Sequence, residues 1–439
     1  MAAAELRFPS GFWWGAATAA HQVEGGLAND WIDFEHTPGT VKNGDTSEVG
    51  VDHYRRFEED FDLAREMAHN VHRLSIEWSR IEPERGQLSA EAIAHYHEVF
   101  AALRARGLEP LVTLHHFTNP VWIADQGGWL VPRTADDFAR FAGFAAAEFP
   151  EVRWWVTINE PNIYAFHAYM FGAWPPRRRN PHAMLTALAT MALGHQKAYA
   201  AMHEVRPEVQ VGLAYHIYLV DPFHAASPLD RRLAAFVDHI ANRAYLEAVT
   251  TGQLDFALPG KRIRQDLGAD SALDFLGINY YTRGRSRFPF PALVTPGAAV
   301  NDLGWEIYAE GLYRALGLAD GFTRLRDGRR IPIVITENGI DDRRGDRRNA
   351  YLVSHLQQVA RAIHEGIDVR GYVHWTLMDN FEWAQGYAPR FGLYRIDREH
   401  GLARVPTETV EVFERIASSN ALAEDLIERY GSSAARSRA

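Results

Sequence analysis

The sequence predicts a (β/α)8 barrel. Apolar strand candidates recur along the whole chain, and helical patterns separate most of them. No Gly-x-Gly-x-x-Gly loop follows the first strand, as a doubly wound dinucleotide-type sheet would require. The strand candidates cover residues 12–17, 71–78, 110–117, 154–159, 211–217, 275–281, 333–336 and 371–377, each dense in apolar, β-branched or aromatic side chains. The helical patterns cover 52–68, 90–106, 136–147, 184–205, 229–249 and 352–364. The first carries Tyr54, Phe57, Phe61, Leu63, Ala64 and Met67 among polar residues; the second is Ala-rich and stops at Gly107, a C-terminal cap. Residues 1–430 are expected to form a single (β/α)8 domain, and 431–439 a disordered tail of Gly, Ser, Ala and Arg.

Composition bounds the function. A chain of 439 residues with 47% hydrophobic content can bury a large core. It contains no cysteine, which removes disulfides, thiol nucleophiles and Cys-based metal sites. It shows no run of eighteen apolar residues and no apolar leader behind basic residues. Neither a membrane span nor a secretory signal is expected, and the protein is read as cytoplasmic. The net charge of −10 argues against a nucleic acid or an anionic membrane as partner. Several of the twelve Trp fall near strand ends or in loops, where a flat apolar face can stack on a sugar ring. The Arg-rich stretches 177–179 and 343–348 read as solvated loops.

In such a barrel the chemistry sits at the C-terminal ends of the strands. Two glutamates occupy matched settings there. Glu160 follows Trp154-Trp155-Val156-Thr157-Ile158-Asn159 and precedes Pro161. Glu337 follows Ile331-Pro332-Ile333-Val334-Ile335-Thr336 and precedes Asn338-Gly339. Pro and Asn-Gly both end strands, so the two carboxylates are expected at the barrel mouth, on the fourth and seventh strands. The plain alternatives are a turn residue capping the next helix for Glu160 and a loop carboxylate for Glu337. A carboxylate at the end of a buried strand is costly without a purpose. Two that face a common pocket are what glycoside hydrolysis needs.

Other polar residues close the predicted strands: Gln22, Glu24, Glu77, Asn159, Asn279, Tyr280, Tyr281 and Asp379. Arg73 lies inside the second strand and needs a carboxylate partner. That partner is either structural or a catalytic carboxylate that the guanidinium keeps ionised, and both readings stay open. His115 and His116 are adjacent, and adjacent strand residues point to opposite sides, so the two cannot readily hold one ion. No metal and no other cofactor is expected. Residues 375–383 place Trp375 and Trp383 around Asp379, Asn380 and Glu382. Indole faces with nearby carboxyls and amides suit a sugar, although an aromatic lid on the core is the simpler alternative.

These stretches resemble glycoside hydrolase family 1, the β-glucosidase family. The resemblance rests on Phe8-Pro9, residues 12–15, Gln22-Val23-Glu24-Gly25, 73–80, 113–116, 157–161, 275–281, Gly304-Trp305-Glu306 and 335–339, and on 375–383 running on to Gly386-Tyr387 and 390–393. They span nearly the whole chain in family order. The resemblance implies a retaining β-glycosidase, with Glu337 as nucleophile and Glu160 as general acid/base. It implies that Arg73 and Tyr281 contact the nucleophile, with Asn279 nearby, and that Gln22, His116, Asn159 and Glu382 hold sugar hydroxyls. Trp375 then matches the stacking platform and Trp383 a second indole on the sugar. Phosphosugar-specific members carry Ser and Lys in place of the Glu382-Trp383 pair. The implied substrate is therefore an unphosphorylated β-D-glucoside or short oligosaccharide, with β-galactosides and β-fucosides as side substrates. The alternatives are a 6-phospho-β-glycosidase, a catalytically silent sugar-binding member, and a metal-dependent barrel hydrolase. A silent member should have lost one of the two glutamates. The resemblance leaves aglycone and oligomeric state open, a homo-oligomer included.

Two positions depart from the family pattern. His21 stands where an aromatic such as Tyr is more usual, and Phe117 stands where Trp commonly follows the sugar-binding His. Phe lacks the N–H that an indole would donate. Phe117→Trp is expected to raise kcat/KM about 2–13-fold for the sugar whose hydroxyl meets the indole, the worth of one neutral hydrogen bond. A deoxy analogue lacking that hydroxyl should gain nothing; an equal gain for both sugars would show that the residue acts by shape.

Overall fold

The computed structural model describes residues 5–268 and 271–431. The predicted tail lies outside the described residues beyond Gly431, whose N–H donates to the Ile427 carbonyl at the end of the last helix. Eight parallel strands close into a barrel in chain order: β1 Trp13–Ala17, β2 Val71–Ser75, β3 Glu109–His115, β4 Trp154–Asn159, β5 Gln210–His216, β6 Phe275–Asn279, β7 Ile333–Asn338 and β8 Val369–Trp375. β8 pairs back onto β1, with Tyr372 beside Trp14 and Trp375 beside Ala17.

The strands read as continuous apolar runs because both of their faces are covered. Ala17, Val71, Leu111, Val156, Ala214, Phe275, Val334 and Val373, one from each strand, form a single apolar cluster and therefore fill the barrel interior. Their strand neighbours Trp14, Val112, Trp155, Leu213, Leu276, Ile335 and Tyr372 belong to the larger core under the helices. This is the two-face alternation of a strand. The helices follow the expected pattern: α1 His53–Glu66, α2 Ala90–Ala105, α3 Arg133–Glu148, α4 Pro181–Val205, α5 Pro228–Asp238, α6 Ala244–Thr251, α7 Glu310–Asp320, α8 Arg348–His364 and α9 Thr409–Ser419. The predicted helix 229–249 is split into α5 and α6 by the π-helical segment His239–Arg243. α7 and α9 were not among the predicted helices.

Several boundaries differ from expectation. β2 stops at Ser75, and Trp78–Ile81 turns into a short helix, so the predicted strand 71–78 is too long. β3 stops at His115, and Phe117 already has a left-handed backbone at φ 69°. β7 runs past Thr336 to Asn338, which places Glu337 inside the strand. Beyond the barrel, Leu219–Pro222, Arg283–Arg287 and Phe290–Leu293 form a three-stranded sheet, and Gln253–Leu258 pairs with Lys261–Asp266. Leu6–Arg7 pairs antiparallel with Ala421–Leu422, joining the two ends of the described chain. Among the described residues no helix is long and apolar enough to cross a membrane.

One buried charge cluster ties α1 to the antiparallel pair Tyr394–Asp397 and Ala403–Pro406. Asp60 is fully buried, and both its oxygens accept from Arg404, at 2.7 and 3.0 Å. Its Oδ2 also lies 2.7 Å from His53 Nδ1. Burial alone would raise the Asp60 carboxyl, but the bonds from His53 and Arg404 outweigh it and hold the group below its usual range. Removing one member leaves an uncompensated buried cation. Asp60→Ala is expected to cost about 3–5 kcal/mol in denaturant unfolding at unchanged m. A loss within experimental error would show that water reaches Arg404.

Candidate active site

Arg73 on β2 is the buried centre of the mouth. Its Nη1 donates to Glu337 Oε1 and to the Thr336 carbonyl at 3.2 Å, its Nη2 to Asn159 Oδ1 at 2.6 Å, and its Nε to Thr113 Oγ1 at 3.3 Å. The carboxylate partner left open by the sequence is thus Glu337. The other oxygen of Glu337, Oε2, accepts from the Tyr281 hydroxyl at 2.6 Å.

Glu160 follows the last residue of β4 and adopts φ 42°, a left-handed backbone that is strained for a non-glycine residue. It stands at the cap position of the short helix Pro161–Ala165, yet its side chain makes no capping bond. The capping alternative therefore fails. Glu160 Oε1 instead accepts from Asn279 Nδ2 at 2.8 Å and lies 3.1 Å from His216 Nδ1. Asn279 Nδ2 also reaches Asn159 Oδ1 at 3.2 Å. One unbroken chain of polar contacts therefore runs from Glu160 through Asn279, Asn159 and Arg73 to Glu337.

Strict alternation would not produce this arrangement. Val156 and Val334 face the barrel interior, so a period of two would turn Asn159 and Glu337 outward. The pairing register of β4 shifts between Val156 and Asn159, and that of β7 between Ile335 and Asn338. These irregularities re-aim both side chains into the mouth, the use that bulges beside active sites have.

Both glutamates line one cavity of about 410 Å³, within the range of small-molecule sites. His116, Tyr281, Trp375, Glu382 and Trp383 line it with them. Arg73, Asn159, Asn279 and Gln22 lie behind the lining rather than on it. Gln22 Nε2 is tied to Asn380 Oδ1 and the Phe381 carbonyl, while its buried Oε1 has no partner among the described residues. Trp375 Nε1 donates to Glu382 Oε1 at 3.1 Å. The Trp383 ring stacks near-parallel to His21 (5.4 Å, 8°) and His116 (5.9 Å, 13°). His21 is fixed in turn by Glu35 at 2.7 Å and Asn29 at 3.1 Å. The unusual His21 therefore buttresses an indole of the site. Phe117 packs on His116, Trp174 and Trp383 with centroids 4.9–5.1 Å away.

The adjacent histidines part as expected. His115 turns to Asn119 and Trp129, and His116 to Asn159 and the cavity. Sequence reasoning missed Ile163 and His167, from the helical segments that follow β4, and Trp174, Leu303 and Phe391, from loops with no strand-end signature, which complete the wall. It also missed His216, although a histidine closing the fifth strand was a readable signal.

Burial dominates the electrostatics. It pushes the Glu337 carboxyl up to about 7; Arg73 opposes the rise, the Glu160 charge adds to it, and the Tyr281 hydroxyl opposes it. The Glu160 and Glu337 charges oppose one another across the cavity, so the ionisation of Glu337 depends on its neighbour. The donors on Glu337 favour leaving the negative charge there. Burial likewise raises Glu382 to about 8, opposed by its bond from Trp375, and holds His116 neutral.

Comparison with known proteins gives one family. The model of glycosyl hydrolase family 1 matches residues 4–422. Beta-glucosidase A of Thermotoga maritima is 32% identical over 89% of this chain and 93% of its own length. A 6-phospho-beta-galactosidase of Lacticaseibacillus casei is 31% identical over 89% of this chain and 94% of its own. Among solved structures, a beta-glycosidase from Pyrococcus horikoshii superposes with a TM-score of 0.88 at 33% identity, over 98% of this chain and 99% of that one.

A carboxyl pair in which one member must be ionised and the other protonated predicts a bell-shaped kcat/KM profile. Tyr281→Phe removes a donor to the ionised Glu337, so ionising that group becomes harder and the acidic limb should move up by about one unit. An acidic limb that stays in place would place the charge of the pair elsewhere.

Proposed function

The chain belongs to glycosyl hydrolase family 1 and is a β-glycosidase, and from that premise we propose that it hydrolyses unphosphorylated β-D-glucosides with retention of configuration. β-Galactosides and β-fucosides are the side substrates of this reading. The observation that carries it is the pair Glu160 and Glu337 on one cavity, joined by the Asn279–Asn159–Arg73 relay. Glu337, with its charge held by Arg73 and Tyr281, attacks the anomeric carbon and forms an ester to it. Glu160 protonates the departing glycosidic oxygen. In the second step Glu160 takes a proton from water, the water oxygen bonds to the anomeric carbon, and the ester to Glu337 breaks. Trp375 is the stacking platform, His116 and Glu382 on the cavity wall meet the hydroxyls, and Gln22 and Asn159 reach them from behind that wall. Trp383 adds a second indole. The chemistry needs no cofactor.

The relative that acts on a phosphosugar raises a second reading, a 6-phospho-β-glycosidase. The cavity wall speaks against it. Among the described residues no Lys or Arg lines the cavity, and Glu382 occupies the wall. Charged, Glu382 repels a phosphate; protonated, it still supplies no cation. A silent sugar-binding role is disfavoured because both glutamates are present and paired with donors. The remaining parts of the proposal are one catalytic domain, a cytoplasmic location and no nucleic-acid partner. The single closed barrel supports the first, and the net charge of −10 the last.

Glu337→Ala is expected to abolish hydrolysis while the protein stays folded, and added azide should restore turnover with inverted product. Substantial activity in the untreated variant would sink the nucleophile assignment. Glu160→Ala should lose about 10²–10⁴-fold on alkyl glycosides or cellobiose and much less on nitrophenyl glycosides, whose leaving groups need little protonation. A panel of gluco, galacto, fuco and 6-phosphogluco chromogenic substrates tests the glycone; a preference for the phosphorylated sugar would overturn the reading.

A further inference from the structure

His216 closes β5 and has no part in the scheme above. Its Nδ1 lies 3.1 Å from Glu160 Oε1, the same oxygen that accepts the Asn279 amide at 2.8 Å. The imidazole is 7% exposed and stacks on Tyr281 (5.8 Å, 12°), the residue that bonds the other glutamate. Its backbone is also fixed, since its carbonyl accepts from Asn162 at 2.8 Å and the strand pairs it with Asn279. The ring therefore has little freedom to swing away from Glu160.

Two nitrogens on one carboxyl oxygen have a chemical consequence. Asn279 Nδ2 can only donate. If Nδ1 of His216 carries its hydrogen, Oε1 receives two donors and repels a third hydrogen. The catalytic proton of Glu160 must then sit on Oε2. We propose that His216 is a positioning residue for the acid/base: its Nδ1–H confines the Glu160 proton to Oε2 and stabilises the carboxylate left after that proton departs. This rests on the acid/base role proposed for Glu160.

The same contact acts in both half-reactions. In the first, a confined proton raises the fraction of Glu160 aimed at the leaving oxygen. In the second, the bonded carboxylate is the base that receives the proton of water. The other titratable groups facing this pair are Glu337 and Tyr281 from the neighbouring strands, His167 from the helix above and Tyr218 beyond the strand end; Arg73 acts through Asn159 and Asn279. Burial lowers His167 to about 4, so it is neutral over the working range, and burial raises Tyr281 and Tyr218.

His216→Phe keeps a ring on Tyr281 and removes the donor. A hydrogen bond to a charged group is worth about tenfold or more, so the alkaline limb of kcat/KM should move up by about one unit. Cellobiose hydrolysis should fall about tenfold more than that of a dinitrophenyl glucoside, with the loss in kcat rather than KM. His216→Asn places an amide nitrogen near the Nδ1 position and should restore both the limb and the ratio. If the larger ring prevents folding, His216→Leu carries the same test. A donor-free variant with the wild-type limb and equal losses on both substrates overturns the proposal, as does an Asn variant indistinguishable from it. Glu160→Ala, run beside them, separates the two failures. If it shows the leaving-group dependence and the His216 variants do not, only the role of His216 falls.

Discussion

The mouth of this barrel is organised around a buried cation. Arg73 sits where side chains from β3, β4 and β7 converge, and all three guanidinium nitrogens are bonded there. A charge in that position is tolerable only with a carboxylate against it, and Glu337 is that carboxylate. The requirement runs both ways. Glu337 without Arg73 would be a buried acid holding its proton, and Arg73 without Glu337 an unpaired buried charge. Each side chain makes the other affordable, and an ionised Glu337 follows from the pairing. The planar fork of arginine also explains why a lysine would not serve, since one ammonium cannot reach Thr113, Asn159 and Glu337 in fixed directions at once.

Beneath this polar layer the barrel is sealed by apolar side chains, one from each strand. The division of labour is by height. The interior floor supplies burial and rigidity, while the strand ends supply donors and acids. A floor that excludes water is also what lowers the local dielectric and shifts the carboxyls so far. The stability of the fold and the acid–base behaviour of the site thus come from the same apolar plug. The aromatic wall extends it sideways, since Trp383, His21, His116 and Phe117 hold one another by ring contacts rather than by hydrogen bonds to the backbone.

The legible part of this molecule was whatever repeats or whatever ends a strand. Eight apolar runs with helical spacers announced the barrel, and Glu160-Pro161 and Glu337-Asn338-Gly339 announced the acids. The position of Arg73 within a strand announced a buried partner without naming it. Three things were hidden. The register shifts in β4 and β7 leave no mark on composition, yet they decide that Asn159 and Glu337 face inward. The cavity wall around Trp174, Leu303 and Phe391 comes from loops whose conformation is set by tertiary packing. The Arg stretch 343–348 reads as solvated from its charge, but Arg348 is buried, with Nη2 on the carbonyls of Asp342 and Arg390. Local charge content could not distinguish that residue from its exposed neighbours, because what buries it is a segment some forty residues away.

The pairing of Leu6–Arg7 with Ala421–Leu422 reaches beyond the fold. Asn420 reinforces that seam, taking the Phe8 amide on its carbonyl and the Trp14 indole N–H on its side chain. The seam lies at the end of the barrel where β1 begins, so it faces away from the mouth. A support or fusion partner attached at this seam would leave the cavity open to solution. The seam sets Leu6 beside Leu422, so the course from one to the other is effectively circular. A short linker from Leu422 to Leu6, with new ends cut in a surface turn such as that at Gly260, would keep the same neighbours around every residue of the cavity.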